Sequence, residues 1–213
     1  MNPLASITST IALSMGLGWA SGINLYAAIA MLGFMGYTGN MTLPPDLQVL
    51  ANPLVIMAAG GMYVIEFITD KIPGVDTGWD SIHTFIRIPA GAMLAAAAVG
   101  NVSPAVSIAA GIVGGGLAAG SHATKAGSRV IINTSPEPFT NWAASISEDA
   151  MVFAGLWTSL YHPVLFLILL VIFIIFAAWL LPKIWRGIKR VFAWLLRLFQ
   201  REEAPPGVPP STP

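Results

Sequence analysis

Six stretches of this chain are mostly apolar and long enough to cross a bilayer, and this feature limits the fold more than any other. A membrane-spanning helix needs about 20 such residues. Only 9% of the 213 residues are charged, against roughly a quarter in soluble domains. We therefore predict an all-α, polytopic membrane protein with about six transmembrane helices. The predicted spans are residues 4–37, 50–71, 76–99, 104–129, 141–161 and 163–181.

The basic residues of the chain are unevenly placed relative to these spans. With six crossings, all ten Lys and Arg residues fall on one side of the membrane, and Asp46 is the only charge on the other. Cytoplasmic segments of membrane proteins carry an excess of Lys and Arg. The sequence therefore predicts that the basic side, with both termini, is cytoplasmic.

The C-terminal part differs in composition from the span region 1–182. Over residues 183–201, basic side chains alternate with Trp, Phe and Leu at helical spacing. This pattern predicts an amphipathic helix on an anionic membrane surface, with membrane lipids as partners. Residues 202–213 are rich in proline and are predicted to be disordered.

Two glycine-rich segments align without gaps at an offset of 98 residues: "GLGWASGINLYAA" (16–28) and "GGGLAAGSHATKA" (114–126). Asn24 aligns with His122. With six spans, the two halves would form an inverted three-helix repeat with Gly-rich broken helices, as in many transporters. The alternative is that small residues simply allow close helix packing. The first predicted helix is longer than one span requires, which suggests a break near residues 16–22 or a re-entrant shape.

A run of charged residues, "EFITDKIPGVDTGWDSIHTFIR" (66–87), interrupts the apolar sequence. Four of its side chains share one face of the third predicted helix, at i, i+4, i+7 and i+11: Asp76, Asp80, His83 and Arg87. Glu66 and Asp70 share a face of the second. Further polar groups return to the same side of the membrane: His122, Lys125, Arg129, Glu148 and Asp149. Acids and bases are therefore expected to converge between the helices near the cytoplasmic boundary.

Three interpretations of this convergence compete. The charges could form a structural ion-pair network that orients the helices. They could line a path for a substrate or an ion, because close carboxylate pairs such as Glu66 with Asp70 favour holding a proton or a cation. Lys125 and Arg129 could instead hold an anion. Carboxylates with His83 and His122 could also bind a divalent metal in an intramembrane enzyme, although no HExxH spacing is present.

The run "EFITDKIPGVDTGWDSIHTFIRIPAGA", together with "ASGINLY" in the first helix, resembles a bacterial integral membrane family, domain-of-unknown-function family 4126. The resemblance covers roughly residues 5–160. It implies a small, multi-pass protein of the bacterial inner membrane and no particular activity.

We therefore expect a small transporter for an ion or a small solute, an anionic solute included, coupled to protons or a cation. Its expected binding residues are Glu66, Asp70, Asp76, Asp80, His83, Arg87, Asn24, His122, Lys125 and Arg129. The alternatives are an anionic-lipid carrier and a non-transporting scaffold. We expect no enzymatic activity, no cofactor and no nucleic-acid partner. The metal and the homo-oligomeric state are left open.

Overall fold

The computed structural model describes residues 3–100, 102–133 and 138–202, and all regular structure within them is helical. The predicted proline-rich segment 202–213 lies outside the described residues, apart from Glu202. Six α-helices and one 3₁₀ helix are present in the described part of the chain. They are α1 (Pro3–Tyr37), the 3₁₀ helix (Pro45–Ala51), α2 (Pro53–Thr69), α3 (Val75–Val99), α4 (Pro104–Ile132), α5 (Pro138–Tyr161) and α6 (Pro163–Glu202).

Prolines and short polar side chains set several helix starts, as elementary capping rules predict. Pro104 opens α4, where the Ser103 hydroxyl accepts from the N–H of Val106. The turn before α3 depends on Gly74, whose φ of 84° favours glycine. α3 begins at Val75, one residue before the predicted Asp76, and the Asp76 carboxylate accepts from the N–H groups of Gly74 and Thr77.

Helix α1 lies at the centre of the bundle and contacts all five other α-helices. Most of its apolar length is buried, whereas the other long apolar helices expose most of theirs. Gly18 allows the closest approach to α4, because a Cβ there would lie 2.7 Å from the Cα of Gly114. Small residues therefore let the backbones of α1 and α4 pack directly, as in many membrane bundles.

Four helices are long and apolar enough to cross a membrane: α1, α3, α4 and α6. A fifth span results if the 3₁₀ helix and α2, which meet at an angle of 69°, form one broken crossing. By these criteria α5 is not among the spans. The chain is thus a polytopic helical membrane protein, with four to five spans by length and composition rather than the six expected.

Helix α1 is broken at Asn24, whose φ of −146° and ψ of 95° are not helical. We expected a break near residues 16–22 or a re-entrant shape, and the observed break lies two residues beyond that range. The second glycine-rich segment contains no corresponding break, because α4 runs from Pro104 to Ile132 through His122. The expectation of broken helices therefore holds for α1 alone within the described residues.

The basic segment after residue 182 continues α6 rather than starting a new helix. Ile184 is buried, and it packs where Gly127 leaves space on α4. The basic side chains Lys183, Arg186, Lys189 and Arg190 are exposed, so the polar face expected from the sequence is present in this part of α6.

Candidate functional site

All ten residues predicted for the site are buried, and the structure brings them together in one cluster. Helices α1 to α4 contribute them, and α5 adds Glu148 and Asp149. We call these twelve residues the charged cluster: Asn24, Glu66, Asp70, Asp76, Asp80, His83, Arg87, His122, Lys125, Arg129, Glu148 and Asp149. Arg87 lies 12 residues into α3, or about 18 Å along its axis. The charged cluster therefore extends about three helical turns into α3, farther from the helix start than convergence near the cytoplasmic boundary would require.

Arg87 joins α2 to the middle of α3. Its Nη2 donates to Oε1 of Glu66 at 2.8 Å, and its Nη1 donates to Oδ1 of Asp80 at 2.8 Å. All three side chains are almost completely buried. The guanidinium group can bind two acceptors in a fixed geometry, so it holds these carboxylates in place.

Lys125 bridges the carboxylate pair of α2. Its Nζ lies 2.7 Å from Oδ2 of Asp70 and 3.4 Å from Oε1 of Glu66, with Asp80 at 3.7 Å. The same Nζ donates to the carbonyl of Ile23 at 3.2 Å. The cation attracted by the Glu66–Asp70 pair is therefore a side chain of the protein.

Arg129 performs the corresponding role between α4 and α5. Its Nη2 donates to Oε2 of Glu148 at 2.6 Å, and its Nε donates to Oε1 at 3.2 Å, which gives a two-point contact. Its Nη1 donates to the main-chain carbonyls of Asp70 and Asn141 and to the side-chain oxygen of Asn141. Asp76 lies 3.8 Å away. Each of the three guanidinium nitrogens of Arg129 thus donates to a protein oxygen.

The two histidines of the charged cluster have opposite tautomers. The Nη1 of Arg87 can only donate, so Nδ1 of His122, 3.2 Å away, must accept. The Nε2–H of His122 then donates to Thr84 Oγ1 at 2.7 Å, and the Thr84 hydroxyl donates to the carbonyl of Asp80. Arg87 therefore favours the neutral form of His122, because protonation would place two donors face to face.

His83 has the reverse arrangement. Its Nδ1 lies 2.9 Å from the carbonyl of Trp79, which can only accept, so Nδ1 carries the hydrogen. Its Nε2 lies 3.1 Å from the hydroxyl of Tyr26 and accepts from it. The ring also stacks on Trp79 at a centroid distance of 4.0 Å.

The break in α1 supplies polar groups to the charged cluster. The N–H of Ala27 donates to Oδ1 of Asn24 at 2.9 Å, so Asn24 caps the second half of the helix. The carbonyl of Ile23, whose regular helical donor would be that N–H, accepts from Lys125 instead. The Nδ2 of Asn24 donates to Oδ1 of Asp149 at 2.9 Å. A cation therefore faces the carbonyl end of the first half-helix, and a carboxyl group faces the second, as the helix dipoles favour.

Acids outnumber bases in the charged cluster. It contains six carboxyl groups and three cationic side chains. Within the described part of the chain, five carboxyl oxygens are buried and have no hydrogen-bond partner: Glu66 Oε2, Asp70 Oδ1, Asp76 Oδ2, Asp80 Oδ2 and Asp149 Oδ2. Excess buried charge of one sign is costly unless protons or bound cations neutralise it.

Lys71 lies at the edge of the charged cluster, in the turn after α2. Its Nζ donates to the Phe67 carbonyl at 3.0 Å and to Ser145 Oγ at 3.3 Å. Burial lowers the pKa of this ammonium group, while Asp149 and Asp70 act to raise it. Even with Lys71 included, six carboxyl groups face four cations.

The geometry does not favour a multidentate metal centre. No group of three or more His, Asp or Glu side chains in the described residues is arranged to hold a metal ion. The carboxyl oxygens nearest one another converge on Lys125 and Arg87 instead. His83 and His122 each contact a hydroxyl group.

Sequence reasoning omitted five polar groups of this region from the predicted binding residues: Glu148 and Asp149, named only as converging on the same side, and Asn141, Ser145 and Tyr26. Asn141 and Ser145 are buried and, with Glu148, follow one face of α5 at i, i+4 and i+7. That spacing predicts that the three side chains lie on one face of the helix, turned towards the interior of the bundle. Tyr26, which contacts His83, carried no such signal.

A cavity of about 370 Å³ lies between α1 and α2 next to Tyr26. Its other lining residues are Ile29, Leu54, Val55, Ala58, Ala59 and Met62. The hydroxyl of Tyr26 contacts His83, so this side chain touches both the apolar cavity and the charged cluster.

Comparison with known proteins identifies a family but no activity. The family model described as "Domain of unknown function (DUF4126)" matches residues 11–183. This range includes the whole charged cluster and ends within α6. No curated protein and no solved structure matches the chain.

Proposed function

This chain belongs to the family described as a domain of unknown function (DUF4126), and from the charged cluster we propose that it is a small membrane transporter. In this proposal it moves an ion or a small solute, coupled to protons or a cation.

The observation that carries the proposal is the imbalance of charge inside the bundle. Six buried carboxyl groups share three buried cations, and five carboxyl oxygens have no partner in the described residues. A purely structural network would gain most from balanced charges, because an unpaired buried carboxylate destabilises the fold. Neutralisation by protons or a cation that exchanges with the solution is the chemistry that coupled transport requires.

The break in α1 supports the same function. Transporters often place binding sites where a membrane helix is interrupted near the middle of the bundle. Here the interruption at Asn24 exposes a carbonyl and an amide to Lys125 and Asp149. The cavity beside Tyr26 offers a route towards this region. We propose that Tyr26 and His83 separate the cavity from the charged cluster.

A bacterial membrane with the basic side of the protein in the cytoplasm remains our proposal. Six crossings with both termini on that side would require α1 and α3 to run in the same direction. Ser14 contacts Ala95 and Ser21 packs at Gly91, so these two helices run in opposite directions.

The acids of α5 are buried while its outer face exposes apolar side chains such as Phe139, Ile146 and Trp157. Such a helix can cross a bilayer with its polar face turned inward, so we propose that α5 crosses together with α1, α3, α4 and α6. The exposed basic residues of α6 would then contact anionic lipids of the inner leaflet.

The inverted repeat expected from the sequence would require α1 and α4 to run in opposite directions. The two glycine-rich segments do pack against each other, with Gly18 on Gly114 and Gly22 on Ala118. These contacts advance together along both helices, so α1 and α4 run in the same direction here. The geometry therefore favours the alternative, close packing of small residues.

A scaffold without transport is the second candidate, and the pairing of the cations favours it. Arg87, Lys125 and Arg129 each contact at least two carboxyl groups. Because these cations are engaged, an anionic solute or lipid head group would have to displace protein carboxylates. Among transported species, we therefore favour protons and cations over anions.

Electrical recordings from proteoliposomes test the proposal. Purified protein would be reconstituted and exposed to rapid jumps in pH, Na⁺, K⁺ or phosphate on a solid-supported membrane. We expect a transient current in wild type and in Asp46→Asn, whose carboxylate is exposed on the 3₁₀ helix and is not part of the charged cluster. Asp80→Asn should lose the current while remaining folded, because Arg87 keeps Glu66 as a partner. Absence of current in folded wild-type protein for every jump would favour the scaffold.

A further inference from the structure

Asp149 differs from every other acid of the charged cluster. Glu66, Asp70, Asp76, Asp80 and Glu148 each have a Lys or Arg nitrogen within 4.0 Å. Within residues 3–100, 102–133 and 138–202, Asp149 has none. It is nevertheless only 7% exposed.

The two oxygens of Asp149 have different surroundings. Oδ1 accepts from the uncharged amide of Asn24 at 2.9 Å. Oδ2 is buried and has no hydrogen-bond partner in the described residues. The groups that act on this carboxyl group from neighbouring elements are Lys125 on α4, Asp70 and Lys71 in the turn after α2, and Tyr63 on α2, whose hydroxyl interacts directly with the Asp149 side chain. The surroundings therefore combine burial with charges of both signs, none of them a close cationic partner.

Burial without a close cation favours the neutral form of a carboxyl group. At each of the other five acids, a Lys or Arg nitrogen within 4.0 Å opposes this effect. We propose that Asp149 is the acid of the charged cluster that binds and releases a proton. In the uptake step, a proton from the aqueous phase forms an O–H bond at Oδ2 and removes the negative charge. In release, that bond breaks and the proton returns to water.

The position of Asn24 links this proton to the conformation of α1. Its amide nitrogen binds Asp149, while its amide oxygen caps the second half of α1. A hydrogen bond to an ionised carboxylate is stronger than one to a neutral carboxyl group. Loss of the proton should therefore strengthen the hydrogen bond between Asn24 and Asp149. The broken part of α1 at Asn24 should then move towards α5. As the coupling step of transport, this role rests on the function proposed above.

Infrared difference spectroscopy of the full chain tests the protonation directly. A pH step on protein labelled with ¹³C-aspartate should change a carboxyl C=O band that shifts with the label. Asp149→Asn should remove that band, and Asp46→Asn should retain it. Asp149→Glu provides a second variant if the amide impairs folding, because it should replace the label-sensitive band by one that the label does not shift.

Two results would overturn the inference: an unchanged label-sensitive band in folded Asp149→Asn or Asp149→Glu protein, or no protonated aspartate in wild type at about pH 6, where an ordinary exposed aspartate is ionised. Proton flux in proteoliposomes separates it from the proposed function. If the band is lost in Asp149→Asn but wild type shows no flux, the protonation site stands and transport fails. If wild type shows flux and Asp149→Asn retains it, transport stands and the role of Asp149 fails.

Discussion

The Nη2 of Arg87 lies 2.8 Å from Oε1 of Glu66, and neither side chain is exposed. This contact joins the middle of α3 to the end of α2, two helices that otherwise touch little. An ion pair so deeply buried is costly to desolvate and costly to break on one side only. Four measurements would test the contacts described above: two ion pairs, the hydrogen bonds of two histidines, and the close approach of α1 and α4.

Replacing Arg87 with methionine should destabilise the protein strongly. The change leaves Glu66 and Asp80 buried without their main cationic partner, and loss of one member of a buried pair costs about 3–5 kcal/mol. The free energy of unfolding in mixed micelles measures the effect. Arg186→Met is the matched control, because Arg186 is exposed on α6; equal losses in the two variants would contradict the prediction.

Lys125→Met should be partly rescued by Asp70→Asn. The single change leaves the carboxylate of Asp70, which lies 2.7 Å from Nζ, without its nearest cation. The second change replaces that carboxylate by a neutral amide. Contacting residues in such networks show interaction energies of about 0.5–3 kcal/mol. A double-mutant cycle of thermal stability measures the interaction energy between Lys125 and Asp70. Additive effects of the two changes would show that the contact contributes little.

The tautomers of the histidines can be read by ¹⁵N NMR of histidine-labelled protein. We expect His122 to be neutral with its hydrogen on Nε2, because Arg87 donates to Nδ1. Neutral His83 should carry its hydrogen on Nδ1, because Trp79 O faces that atom. His83→Gln and His122→Gln assign the signals. Identical tautomers at both positions would refute the assignment.

Gly18→Val should separate α1 from α4, whereas Gly116→Val should not. A Cβ at Gly18 would lie 2.7 Å from backbone atoms of Gly114, while a Cβ at Gly116 meets no atom within 4 Å. Overpacking of this kind costs about 1–3 kcal/mol. Thermal stability and the yield of monodisperse protein measure the difference. If both variants behave alike, the close contact between the glycine-rich segments is not required.

Much of the helical framework and of the buried face was readable from the residues. Apolar length predicted the helices, and the spacing of Asp76, Asp80, His83 and Arg87 predicted one shared face; the structure buries all four. Helical periodicity specifies which side of a helix a residue occupies. It could not specify that Arg87 pairs with Glu66, or that Lys125 lies against Asp70.

The sequence by itself determined that this is a helical membrane protein with one set of acids and bases, between Glu66 and Asp149, gathered on inward faces. Only the tertiary structure decided the partners, because distances between helices depend on where backbones can approach, as at Gly18 and Gly114. Asn24 and Asp149 are 125 residues apart in the chain. Their contact requires both the break in α1 and the packing of α5 beside it, and no local pattern encodes that combination.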